Sequence, residues 1–182
     1  MSSVDRFADA VASLSFANTF NPYRDTCRIF DYPESAEVRV GLLRSTLNAA
    51  ARNGVDSLWI GRVLGYRGGR RTGLALTDEV HIGAHLRRWG VHEKPRLVKG
   101  ESQAERTASV IWRMLDRIPE PIFLWNVFPL HPHEPSRPLS NRAHTAIERE
   151  AGEAVLRELI DLLRPRTVVA IGQDAARSQR GR

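Results

Sequence analysis

Residues 121–128 read PIFLWNVF, a run that is apolar at almost every position and is interrupted only by Asn126. A strand with one wet face alternates apolar and polar side chains, whereas apolar residues at successive positions mark a strand buried on both faces. Two shorter runs share this character: Leu58-Trp59-Ile60, closed by Gly61, and residues 167–171 (TVVAI), closed by Gly172. The stretches between them carry apolar residues at helical spacing. These are residues 4–14 (Val4, Phe7, Val11, Leu14), 35–51 (Val38, Leu42, Leu43, Leu47, stopped by Asn53-Gly54), 102–117 (Ala108, Ile111, Trp112, Leu115) and 145–163. A further helix is expected from Thr77-Asp78-Glu79 to about Trp89, because a capping hydroxyl is followed by acids in the first turn. Trp89 and Trp112 fall on helix faces and are expected in the core. Strands that alternate with helices build a parallel sheet covered on both faces, so the fold class expected is α/β. The chain has 182 residues and a 42% hydrophobic fraction, which suits one globular domain. We expect it over residues 1–176, with a basic polar tail at 177–182.

Ligands of open α/β sheets bind at the C-terminal ends of the strands. Two loops are expected there. The first, residues 61–77, carries Gly61, Gly65, Gly68, Gly69 and Gly73 together with Arg62, Arg67, Arg70 and Arg71. Glycine lets a backbone approach a ligand closely, and arginine offers paired donors to phosphate. A phosphate-bearing partner and an ordinary turn with solvated arginines both stay open. The net charge of +6 favours a polyanion. Tyr66 suits stacking on a base, or packing beneath the loop. The second loop starts at Asn126, whose amide offers an acceptor and two donors. It can read a pyrimidine edge, or it can cap its own loop in an Asx-turn. His131 and His133 form an H-x-H pair without the further ligands that a closed zinc site needs, and Pro132 argues against a regular strand there, so no metal is expected. His131 is a candidate donor to a leaving group, the alternative being a loop histidine with no chemical role. The single cysteine, Cys27, excludes an internal disulfide and fits a small buried side chain. No N-terminal run resembles a signal peptide or a membrane span, so a cytoplasmic protein without a membrane partner is expected.

Taken together, these blocks resemble the uracil-DNA glycosylase superfamily. The likeness is to a bacterial branch whose strand-end loop reads approximately G-E-A-P-G-Y-R-G-C/G-R-x-T-G-x-P-F-T-S-E. It rests on residues 61–73 (GRVLGYRGGRRTG) followed by Leu74-Ala75-Leu76-Thr77-Asp78-Glu79, on Ala108-Ser109-Val110-Ile111-Trp112, on Trp125-Asn126-Val127-Phe128-Pro129-Leu130-His131-Pro132-His133 and on Leu139-Ser140-Asn141-Arg142. Asn21-Pro22-Tyr23 and Val168-Val169-Ala170-Ile171-Gly172 also fit. The resemblance implies a three-layer α/β/α fold around a short parallel sheet. It implies flipping of a uracil nucleotide out of DNA into a pocket at the strand ends, and hydrolysis of its N-glycosidic bond. On this reading Gly61, Arg62, Gly65, Tyr66, Leu76 and Asn126 bind the nucleotide and His131 assists catalysis. Arg67, Gly68, Arg70, Arg71 and His133 contact DNA, the partner is uracil-containing DNA, the protein is a monomer, and no cofactor is needed.

The chain departs from the branch pattern at four points. Arg62 stands where the pattern has a carboxylate, Leu64 where it has proline, and Leu76 where it has a stacking aromatic. A fourth strand and an H-P-S loop are expected to be missing. Three readings follow: a working glycosylase, a catalytically impaired DNA-binding relative, and a nucleotide-binding or small-anion-binding α/β protein.

Overall fold

The computed structural model describes residues 2–92 and 95–172. Helix α1 (Ser3–Ser13) opens with a capping box. The Ser2 hydroxyl accepts from the Asp5 backbone N–H at 3.1 Å, and Asp5 accepts from the Ser2 N–H at 3.0 Å. Strand β1 (Thr19–Phe20) follows, then α2 (Ser35–Asn53), which ends where Gly54 takes φ 82°. Strand β2 (Ser57–Gly61) leads into a single helical turn, α3 (Gly69–Thr72), and then into α4 (Ile82–Arg88) and α5 (Arg106–Leu115). Strand β3 (Ile122–Asn126), strand β4 (His131–Pro132), α6 (Ala146–Leu163) and β5 (Thr167–Ala170) complete the chain as described.

Strands β3, β2 and β5 form a parallel sheet in that order, with Gly61 level with Asn126 at the strand ends. Alternation along the strands divides the core. Leu58, Ile60, Phe123 and Trp125 face a cluster shared with α1, α2 and α6, through Phe7, Val11, Leu47 and Leu159. Trp59, Ile122 and Leu124 face the opposite way, onto Ala108, Ile111, Trp112 and Leu115 of α5. The result is the three-layer α/β/α arrangement expected from the runs. Trp89 and Trp112 are both buried, as is Cys27.

Three local expectations are corrected. The helix expected from residue 77 starts only at Ile82. Thr77 and Asp78 are fully buried and act within the preceding loop: the Thr77 hydroxyl donates to the Ala75 carbonyl at 2.9 Å, and Asp78 accepts from the His81 N–H at 2.9 Å. The helix expected over 102–117 is shorter, Arg106–Leu115. The Pro/His segment does contain a strand, because His131 and Pro132 pair antiparallel with Phe20 and Thr19. A two-stranded ribbon has free edges, where proline's missing N–H breaks no ladder bond. The basic tail expected at 177–182 lies outside the described residues.

Candidate functional site

The loops after β2 and β3 run side by side. The Val127 N–H donates to the Gly61 carbonyl at 2.9 Å, Phe128 donates to Arg62 at 3.0 Å, and Leu64 donates to Leu130 at 3.2 Å. They are tied again at their tips, where Asn141 Oδ1 accepts from the Tyr66 N–H at 3.0 Å. Beside them opens a cleft of about 310 Å³, whose lining includes Gly61, Arg62, Gly65, Leu76, Glu105 and Asn141. A larger depression of about 690 Å³ lies between α1 and α6, with Arg6, Glu158 and Asp161 in its wall. Its described lining comes from α1, α6 and the cap after α6, and includes no strand residue.

Asn126 closes β3 and is 1% exposed, and neither its Oδ1 nor its Nδ2 has a hydrogen-bond partner among the described residues. The Asx-turn reading therefore does not hold. A β-carbon on residue 61 would lie 2.5 Å from Asn126 Oδ1 and 3.0 Å from Leu76 Cδ2. Only glycine leaves the amide room there; Gly61 and Leu76 line the cleft, and Asn126 lies buried against Gly61. An unpaired buried amide costs about 1–3 kcal/mol for each unmet group, so an amide that no protein group pairs is available to an incoming partner. Leu76 stands beside it with φ 51°, a left-handed backbone that a leucine rarely adopts. The Trp112 indole, donating to the Leu76 carbonyl at 3.2 Å, holds that turn. Strain of this kind gathers at ligand sites.

The arginines separate into two groups. Arg62 and Arg67 are exposed, and Arg67 lies over the Tyr66 ring at 5.3 Å. Arg70 and Arg71 are only 4% and 5% exposed, which corrects their assignment as phosphate contacts. Arg70 packs over Phe20 at 4.0 Å. Arg71 packs over Phe30 at 4.5 Å and pairs with Glu79 at 2.6 Å. The loop is braced from beneath. The Arg39 Nε donates to the Arg71 carbonyl at 2.9 Å, the Tyr23 hydroxyl donates to the Gly73 carbonyl at 2.7 Å, and Arg39 is itself paired with buried Asp31. Gly68 does not reach the surface either, because it is buried against Glu105.

His131 is likewise corrected. It is fully buried, and its Nε2 lies 2.9 Å from the Ser140 carbonyl, an acceptor that holds the ring's proton. Burial, helped by the positive charge of Arg70, pushes its pKa down to about 3. A neutral ring with its one N–H committed to Ser140 has no proton to offer a leaving group. His133 is half-buried on the neighbouring loop, with Nδ1 3.0 Å from the Glu134 carbonyl. Arg142 and Glu148 fix that loop's base. Their ion pair is 2.7 Å long, and Arg142 also donates to the His133 carbonyl at 2.9 Å.

Glu105, Thr107, Asn141 and Ile171 line the cleft without having been candidates from sequence. The only hint for Glu105 was its place just ahead of an apolar helical face. Among the described residues no group of three or more His, Cys, Asp or Glu side chains is placed to hold a metal ion. No described helix is long and apolar enough to cross a membrane.

The sequence model of the uracil DNA glycosylase superfamily matches residues 60–181, and the chain belongs to that superfamily. Among solved structures it is similar to wild-type SMUG2 of Pedobacter heparinus, with a TM-score of 0.61 and 14% identity over 98% of this chain and 93% of that one. At that identity the likeness is one of fold. No curated protein matches the chain in sequence.

Proposed function

We propose that this protein is a DNA N-glycosylase that receives a uracil nucleotide flipped out of DNA and hydrolyses its N-glycosidic bond. The observation that carries this reading is the Asn126 amide, unpartnered among the described residues and buried directly against Gly61, a residue that lines the strand-end cleft. One side chain there supplies an acceptor for the N3–H of uracil and a donor for its O4. Membership of the superfamily and the place of the cleft at the carboxyl ends of parallel strands support it. Leu76 supplies an aliphatic surface beside the amide, where the base face would pack. Exposed Arg67 would meet a backbone phosphate, and Tyr66 beside it offers a ring to a neighbouring base or sugar. The test is release of uracil from single- and double-stranded oligonucleotides, read as strand breakage at the abasic site after alkali. No product at large enzyme excess would overturn the proposal.

A second reading is a DNA-binding relative without base release. It is favoured by Arg62, a permanent cation at the cleft mouth where a carboxylate would suit hydrolysis better. Salt-dependent binding of uracil-containing DNA with no abasic product would select it.

A further inference from the structure

Hydrolysis of an N-glycosidic bond passes through a cationic sugar, so the cleft needs a negative group near the reacting carbon and an acceptor for a proton of the attacking water. Arg62 can be neither, and His131 is sealed away from the cleft. Among the described residues Glu105 is the only carboxylate in the cleft lining. On that geometry we infer that Glu105, contributed by the segment ahead of α5 rather than by the strand-end loop, is the group that activates water in this cleft. The inference rests on the reaction proposed above.

Its placement is specific. A β-carbon on Gly68 would overlap Glu105 Oε2, and one on Gly65 would lie 2.5 Å from Oε1. Two glycines of the loop thus make room for this carboxylate rather than for a phosphate. The backbone of Glu105 is clamped on both sides: its N–H donates to Asp78 Oδ2 at 2.7 Å, and its carbonyl accepts from the Ser109 N–H at 2.9 Å. Asp78 is fully buried and held on its other oxygen by His81 at 2.6 Å. The main chain is therefore fixed, while the carboxylate oxygens take no hydrogen bond or ion pair among the described residues. A carboxylate that served only to pin the loop would accept loop N–H groups, and this one accepts none. Burial, and next the negative charge of Asp78, raises the proton affinity of Glu105, which strengthens it as a base.

In the step assigned here, the C1′–N1 bond breaks and its electron pair leaves with the uracil. The water oxygen bonds to C1′ and its proton passes to the Glu105 carboxylate. That proton then leaves to the departing base or to bulk water. The products are uracil and an abasic site. Asp78 acts through Glu105 and is a positioning residue.

The test is single-turnover release of uracil by the full chain and by Glu105→Gln and Glu105→Ala, across pH. Binding is followed in parallel on an oligonucleotide carrying non-hydrolysable 2′-fluoro-deoxyuridine. We expect Glu105→Gln to lower the rate by about 100-fold or more, while affinity and Tm stay near wild type. The wild-type rate should fall on the acid side as one group protonates, and the Gln variant should lose that limb. Asp78 behind Glu105, His81 bonded to Asp78, and Arg62 in the cleft wall are the charged neighbours, and all three remain in the variant. Formate should restore part of the rate to Glu105→Ala, which a purely structural role would not allow. The inference falls if the wild type is active and Glu105→Gln works within about threefold of it, or if affinity falls in step with rate. If the wild type releases no uracil, the glycosylase reading itself fails and this inference falls with it.

Discussion

Asn21 and Asn126 are buried to the same degree, 1% exposed each, and are opposite in every other respect. Asn21 Nδ2 donates to the carbonyls of Val11, Ala12 and Leu14 at 2.9–3.1 Å, and its Oδ1 accepts from the Tyr23 N–H at 3.0 Å. It ties the end of α1 to the segment that leads into α2, with its hydrogen-bonding capacity used. Asn126 has the same amide, the same burial and no partner among the described residues. A satisfied buried amide stabilises the fold, and an orphaned one of equal burial works against it. The difference separates a structural asparagine from one held ready for something that arrives.

The sharpest test of that contrast is to remove Asn126. Asn126→Ala should lower uracil release by roughly a thousandfold, about 4 kcal/mol of transition-state binding, because the base edge loses both partners. Stability should hold or rise slightly, since an unpaired amide leaves the interior. Single-turnover kinetics and a thermal melt on the same sample decide it. A variant that unfolds well below wild type would place Asn126 with Asn21 as a structural residue.

The reciprocal change is Asn21→Ala. It leaves the Ala12 carbonyl and the Tyr23 N–H without the Asn21 side chain and takes one of two donors from the Val11 and Leu14 carbonyls, and should cost about 3 kcal/mol, or roughly 6–12 °C in Tm for a chain of this size. Uracil release per folded molecule should not change. Denaturant unfolding with an activity assay below the transition checks both halves, and a loss of activity without a loss of stability would dissolve the contrast.

Half of this contrast could be read from the sequence. Asn126 stood out because a polar residue closing an apolar run must lie at a strand end, and alternation alone then fixes the sheet and its two packed faces. The long helices were legible for a related reason: their apolar spacing is complete within a few turns, and α1 and α6 carry their own capping boxes, Ser2 with Asp5 and Thr145 with Glu148. What was not legible depends on partners distant in the chain. Arg70 and Arg71 looked like surface cations because nothing in their own loop buries them, and the covering groups, Phe20, Phe30 and Glu79, come from other segments. Glu105 was invisible as a cleft residue, because no local pattern says that a carboxylate ahead of α5 will fill the space beside Gly65 and Gly68. His131 was misread because its burial is created by pairing with β1, a two-residue contact without periodicity.

The same distinction between met and unmet polar groups sets the acid limit of the fold. Burial pushes the pKa of His85 down to about 3, and the nearby Arg88 adds to it; His131 behaves alike, burial acting first and Arg70 next. Both therefore bind fewer protons folded than unfolded. Their contribution is fully present above about pH 6.5 and is lost as pH falls from there toward 3, by roughly 2 kcal/mol each at about pH 5. Glu148 differs. Burial alone would raise it, but hydrogen bonds from Arg142, the Thr145 backbone and Thr19 outweigh burial and hold it at about 2. Its contribution persists above its unfolded value near 4.5 and is lost only between there and about 2. Melts from neutral pH downward should show Tm falling first through the histidine window, with a further fall in the carboxylate window that Glu148→Gln removes. A Tm flat from pH 7 to 5 would show that the histidines are not buried neutral groups.

The smallest effect expected is at the rim. Arg67 is exposed and rests on Tyr66, with no ion pair among the described residues, so its removal should leave stability unchanged. If it meets one phosphate, Arg67→Ala should weaken DNA binding by less than about tenfold, equally for every sequence, and reduce the slope of log affinity against log salt by about one. Arg71→Ala provides the contrast, since it breaks a buried pair with Glu79 and should destabilise the fold while the salt slope stays put. Fluorescence-anisotropy titrations at several salt concentrations measure both variants. Equal changes in slope would mean that the buried arginine reaches DNA after all, and that the loop opens on binding.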